Sequence, residues 1–86
     1  MSTSFEEANK TVHHVSTQWH FPIMTNNGFT PITQEQTGFV RNYEYSNDVG
    51  DVVVVTTGSS ADYWNNPTTK ERGYWRTLEA HVKELA

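Results

Sequence analysis

The chain predicts an α+β fold: a small three-stranded antiparallel sheet with an N-terminal and a C-terminal helix packed on one face, in α-β-β-β-α order. Three observations carry this expectation. Gly38 to Thr57 (GFVRNYEYSNDVGDVVVVTT) holds two runs of aromatic and β-branched residues split by Ser46-Asn47-Asp48-Val49-Gly50, the pattern of a hairpin. Before it, Phe5, Ala8, Val12, Val15, Trp19 and Ile23 recur at three- and four-residue spacing; after it, Trp75, Leu78, Val82 and Leu85 do the same. Each series draws one apolar stripe along a helix. At 86 residues the chain has room for one core, so residues 1–86 form a single domain.

The first helix opens on a capping box, Ser4 with Glu7. Asn27-Gly28 supplies a left-handed stop, with Pro31 just beyond. Pro22 interrupts the pattern, because proline clashes with the carbonyl four residues back and donates no hydrogen bond. Two outcomes follow: a kinked helix from Phe5 to Asn27, or a break near His20 with Pro22 opening a second short turn. The break is favoured, since the residue before a proline avoids the helical region.

Gly28 to Thr33 (GFTPIT) suits a short edge strand, where Pro31 is tolerated, and Gln34 to Thr37 reads as a polar connector. In the hairpin, a four-residue turn from Asn47 to Gly50 pairs Ser46 with Asp51, Tyr45 with Val52 and Tyr43 with Val54. That register puts Phe39, Tyr43, Tyr45, Val52 and Val54 on the core face. Val40, Asn42, Glu44, Val53 and Val55 then form the back face. A slip of one residue would set Tyr45 opposite Val53 instead. Ala61 to Trp64 is either a further short strand or a loop anchored by its aromatic pair, ended by Asn65-Asn66-Pro67. A second capping box, Thr68 with Glu71, starts a last helix running from about Thr69 to Leu85. Gly73 inside it suggests close approach to the sheet.

Three Trp, four Tyr and four Phe give a chain of this length enough apolar bulk for a core without staples, and it has no cysteine. The absence of cysteine removes disulfides, thiolate catalysis and thiolate metal sites, and fits a reducing, cytoplasmic setting. The start, MSTSFEEANK, has neither a basic nor an apolar leader region, and no apolar run approaches the roughly 20 residues that span a bilayer. No membrane association is expected. Ten acidic against six basic side chains give a net charge of −4, which works against a general phosphate-binding surface.

The residues that carry chemistry do not converge. His13 and His14 diverge by about 100° on a helix, His20 lies two turns on, and His81 is remote, so all four read as solvated helix-face histidines rather than metal ligands. Ser59, Ser60, Asp62 and His81 include the types used by hydrolases, but Gly58-Ser59-Ser60-Ala61-Asp62 is not a nucleophile elbow, and Ser and Asp are ordinary turn residues. Asp48 and Asp51 flank a turn without an apolar setting that would raise their pKa. No glycine loop has phosphate-cradling spacing, and Asn9-Lys10-Thr11 is a chance match to a glycosylation pattern. No catalytic residue, cofactor or metal is expected.

In element order alone, helix–three strands–helix resembles double-stranded-RNA-binding domains and HicA-type toxins. Those families work through basic helix termini, and the toxins through a strand histidine. Here the strand reads Phe39-Val40-Arg41, the hairpin has no histidine, and the last helix begins with only Lys70 and Arg72. The resemblance is one of topology, which unrelated functions share.

The expected function is therefore a non-enzymatic protein-interaction module, a small accessory or inhibitory protein acting on a larger complex. The alternative is an RNA- or DNA-binding domain on the same scaffold, with Phe39, Tyr43 and Tyr45 stacking on bases. The partner is another protein or a second copy of the chain, joined through the hairpin's back face: Val40, Asn42, Glu44, Val53 and Val55. Tyr63, Trp64, Arg72, Tyr74 and Arg76 extend that surface, being the residue types that dominate interfaces.

Overall fold

The alternation of Thr30 to Thr37 and of the two hairpin runs continues into a sheet larger than the sequence predicts. The structure, a computed structural model, describes residues 15–86. The capping box of Ser4 and Glu7, the stripe residues Phe5, Ala8 and Val12, the Asn9 pattern, and His13 and His14 lie outside the described residues. The elements are α1 (His20–Asn26), β1 (Thr30–Thr37), β2 (Val40–Ser46), β3 (Val52–Thr57), β4 (Tyr63–Asn65), β5 (Arg72–Tyr74), a 3-10 turn (Trp75–Thr77) and α2 (Leu78–Leu85). The α+β class holds. The sheet, however, has five antiparallel strands in the order β1-β2-β3-β4-β5, each beside its neighbour in sequence.

The break favoured near His20 is present: turns at 16–19 precede α1, and Pro22 sits in its first turn, where a missing N–H costs nothing. Its C-terminus closes as anticipated. Gly28 takes φ +84°, its N–H donates to Thr25 O at 3.2 Å, and Phe29 N–H donates to Met24 O at 2.9 Å. This is a Schellman motif, and Met24 and Phe29, both buried, supply its apolar contact.

The edge strand β1 runs through the stretch read as a connector. Pro31 lies within it, and a bulge between Pro31 and Thr33 leaves Ile32 exposed. A two-residue turn, Gly38-Phe39, joins β1 to β2. Gly38 at φ +61° provides the positive φ that such a hairpin turn needs at its first position. Phe39, expected in the core, is thus on a turn tip and 90% exposed.

The hairpin register also differs from expectation. Ser46 pairs with Val52, Tyr45 with Val53 and Tyr43 with Val55. The cause is local: Asn47 accepts Asp51 N–H at 2.8 Å through its side chain and donates to Asp51 Oδ2 at 3.0 Å. Asp51 is drawn into the loop, which becomes 47–51. One residue of slip exchanges the faces, so Val53 and Val55 turn into the core beside Tyr43 and Tyr45, while Val52 and Val54 turn out.

The last helix is shorter than the capping box predicts. Asn66 takes the N–H groups of Thr68 and Thr69 on its own side chain at 2.9 and 3.1 Å, and Lys70 adopts φ +67°. A loop results, and Arg72–Tyr74 pairs with β4. Gly73 lies opposite Trp64, and the Thr77 hydroxyl and then the Trp64 indole occupy the space a Cβ would need. Helix α2 keeps the lower part of the predicted stripe: Leu78 and Val82 are buried and Leu85 partly so. Both helices cover one face of the sheet, with Val15, Met24, Phe29, Tyr43, Tyr45, Val53, Val55 and Trp64 between. Among the described residues no helix is long and apolar enough to cross a membrane.

Candidate functional site

Two buried polar clusters sit under the sheet, and each is explained by packing. In the first, His20 is fully buried, with Nδ1 2.7 Å from the Tyr45 hydroxyl and its ring 4.6 Å from that of Tyr43. Burial lowers its pKa from 6.5 to about 4, opposed by the charge of Asp62. Burial also pushes the Tyr45 phenol upward, and Tyr43 adds to it. Among the described residues, His20 Nε2 and the Tyr43 hydroxyl have no hydrogen-bond partner. Trp19 Nε1 donates to Asp62 at 2.8 Å, tying the start of α1 to the β3–β4 loop.

The second cluster joins the β4–β5 loop to α2. His81 stacks on Trp64 at 4.1 Å, Asn66 Nδ2 lies 3.1 Å from His81 Nε2, and Glu71 is 4.0 Å from Nδ1. Both His20 and His81 are thus core residues, not solvated ones as their helical positions suggest. Glu71, His81 and Glu84 bring ligand-type atoms within 4.8 Å of one another. The donor set argues against a metal. Asn66 Oδ1 already accepts from Thr68 and Thr69, so its Nδ2 must donate to His81. Nε2 then holds the lone pair and Nδ1 the proton, leaving no lone pair toward the carboxylates.

Among the described residues a nucleophilic site does not assemble either. Ser59 donates to Ala61 O at 2.9 Å within its turn, Asp62 serves Trp19, and His81 serves Asn66.

The remaining feature is the sheet face turned away from the helices. Residues paired directly across antiparallel strands share a face. The registers therefore draw two rows across the open face. One runs Thr33, Glu44, Val54, Asn65, Arg72; the other runs Glu35, Asn42, Thr56, Tyr63, Tyr74. Glu44 accepts from Thr33 at 3.2 Å, and Thr56 donates to Asn42 at 2.6 Å. The face holds two shallow depressions. One of about 370 Å³ lies over β1–β4, and one of about 580 Å³ is framed by Tyr63, Asn65, Arg72 and Tyr74. Carboxylates stand at the β1–β2 side and a guanidinium at the β5 side. Glu35, Glu44 and Arg72 have no ion-pair partner among the described residues.

Six of the ten predicted partner-binding residues meet here: Val40, Asn42, Glu44, Tyr63, Arg72 and Tyr74. Val53, Val55 and Trp64 do not, being buried in the core. Arg76 lies beyond β5, 5.4 Å from the centre of the Trp75 ring, and lines neither depression. The sequence reading missed Val54, because the register was one residue off. It missed Thr33, placed at the end of a short edge strand, Glu35, taken for a connector, and Asn65, taken for a stop signal. In comparisons with known proteins, no family model, curated protein or solved structure matches the chain.

Proposed function

We propose that the chain is a non-enzymatic protein-interaction module, a small accessory or inhibitory protein, and that it binds through the open sheet face. The observation that carries this reading is the β4–β5 end of that face. Tyr63 and Tyr74 pair directly across the strands beside Arg72, and Tyr74 is 67% exposed. Exposed Tyr and Arg over a shallow depression are the groups that supply most binding energy at protein interfaces. Their hydrogen-bonding neighbours Asn42, Thr56 and Asn65 give the polar surroundings such anchors need.

The test is a pull-down from cell lysate, with captured proteins identified by mass spectrometry. Tyr74→Ala and Arg72→Ala should fold with little change in melting temperature and lose the captured partner. Trp64→Ala should instead unfold the domain readily, because removing a buried indole costs about 3–5 kcal/mol. Face variants that capture the same proteins as the parent chain would sink the proposal.

The runner-up is nucleic-acid binding, favoured by the same Tyr63–Tyr74 pair as a stacking platform. Glu35 and Glu44 on that face, and the net charge of −4, oppose it. A low-salt gel shift that fades steeply with added salt would establish it.

A further inference from the structure

We infer that the open sheet face is self-complementary and that its occupant is a second copy of the chain, docked about a two-fold axis parallel to the strands. This rests on the reading of that face as an interaction surface and names the partner. The argument is one of charge and register. The face carries carboxylates on its β1–β2 side and Arg72 on its β5 side, with Val54 and Thr56 on the central strand between them.

Two copies can meet face to face about an axis across the strands or along them. An axis across the strands sets β1 over β1, placing Glu35 and Glu44 against the same carboxylates. An axis along the strands sets β1–β2 of one copy over β5–β4 of the other. The rows then superpose: Glu35 faces Tyr74, Asn42 faces Tyr63, and Arg72 faces Thr33 with Glu44 on the next strand. Val54 meets its own counterpart on the axis, while Thr56 beside it is buried and donates to Asn42. Every pair off the axis occurs twice, as an isologous contact requires, and the sheets pack aligned rather than crossed.

The size of the face sets the strength. Two rows of five side chains, on strands about 4.8 Å apart and about 7 Å apart along each strand, present roughly 340 Å² per copy. About 700 Å² in total falls below the usual range of specific interfaces, so the dimer is weak and its population follows concentration.

Sedimentation equilibrium of the whole chain between about 10 µM and 1 mM is the primary test, spanning the range where a weak dimer fills. The weight-average mass should climb toward twice the monomer mass, and less so at high salt. Arg72→Glu and Glu44→Arg should each stay monomeric with unchanged circular dichroism. Mixed in equal amounts they should dimerise again, because each interface then regains both opposite-charge contacts. A wild-type chain monomeric throughout overturns the inference whatever the variants do, as does a dimer indifferent to Arg72→Glu. If self-association fails while the face variants still lose a captured protein, the interaction surface stands and only its occupant changes. If both fail, the face has no such role.

Discussion

Protonating His20 opposes the fold, because the ring lies inside the core between Tyr43, Tyr45 and Trp19. Its folded pKa of about 4 lies below the ordinary 6.5 of an exposed histidine. Between these values the unfolded chain binds the extra proton and the folded one does not. Stability should therefore be full above pH 6.5 and fall as pH drops toward 4, by on the order of 3 kcal/mol, with no further loss from this group below that. Asp62 softens the effect, since its charge favours the imidazolium. Urea titrations at pH 7.5 and pH 4.5 should show this loss, and His20→Phe should reduce it. An unaltered pH dependence in that variant would assign the acid sensitivity to carboxylates alone. Nothing in the spacing of His20 announces this burial. By its spacing it reads as a solvated helix-face histidine, and only the tertiary meeting with β2 reveals it as core.

Among the elements, the β4–β5 hairpin depends most on one side chain. Asn66 closes the loop through two backbone N–H groups and reaches His81 on α2, so one amide joins the sheet to the helix. Asn66→Ala would leave the buried His81 Nε2 unpaired, at about 1–3 kcal/mol, and the part-buried N–H groups of Thr68 and Thr69 without their acceptor. The expected result is a loss of several degrees in melting temperature, with the largest increase in amide exchange at β5 and α2. Uniform loosening across the sheet would contradict it. This element also shows why local signals misled. Thr68 and Glu71 have the spacing of a capping box, but the Asn66 side chain takes the Thr68 N–H and the Thr69 hydroxyl takes the Glu71 N–H, the two donors such a box would use. The Asn47–Asp51 loop follows the same logic: one side-chain bond adds a residue to the turn and exchanges four valines between faces. The Schellman stop at Gly28 was readable because it depends only on adjacent residues.

For the whole molecule, the two-layer plan was readable in part: Leu78, Val82 and Leu85 of α2 pack toward the strand face of Tyr43 and Tyr45 as expected, whereas α1 buries His20 and Met24, which lie outside the predicted stripe. The extent of the sheet was not. β1 is a polar strand whose Thr, Gln and Glu residues resemble a linker, and β4 and β5 are three residues each, too short to show alternation. The candidate surface was half readable for the same reason. Asn42, Glu44, Tyr63, Arg72 and Tyr74 were found and Thr33, Glu35 and Asn65 were not, while the β3 valines were set on the wrong side by the turn.

The sheet order has a kinetic consequence. Because every strand lies beside its neighbour in sequence, each pairing closes only a short loop, and the chain can lay down the sheet strand by strand at small entropic cost. Helices α1 and α2 are different: they touch each other across the core although the whole sheet separates them in the chain. Their meeting closes the longest loop and comes last. Native-state hydrogen exchange should find α2 opening at lower free energy than β2 and β3. Protection lost from all of these together would mean that sheet and clasp form in one step. The meander can form from neighbouring segments, and the helix pair is the latch that closes over it.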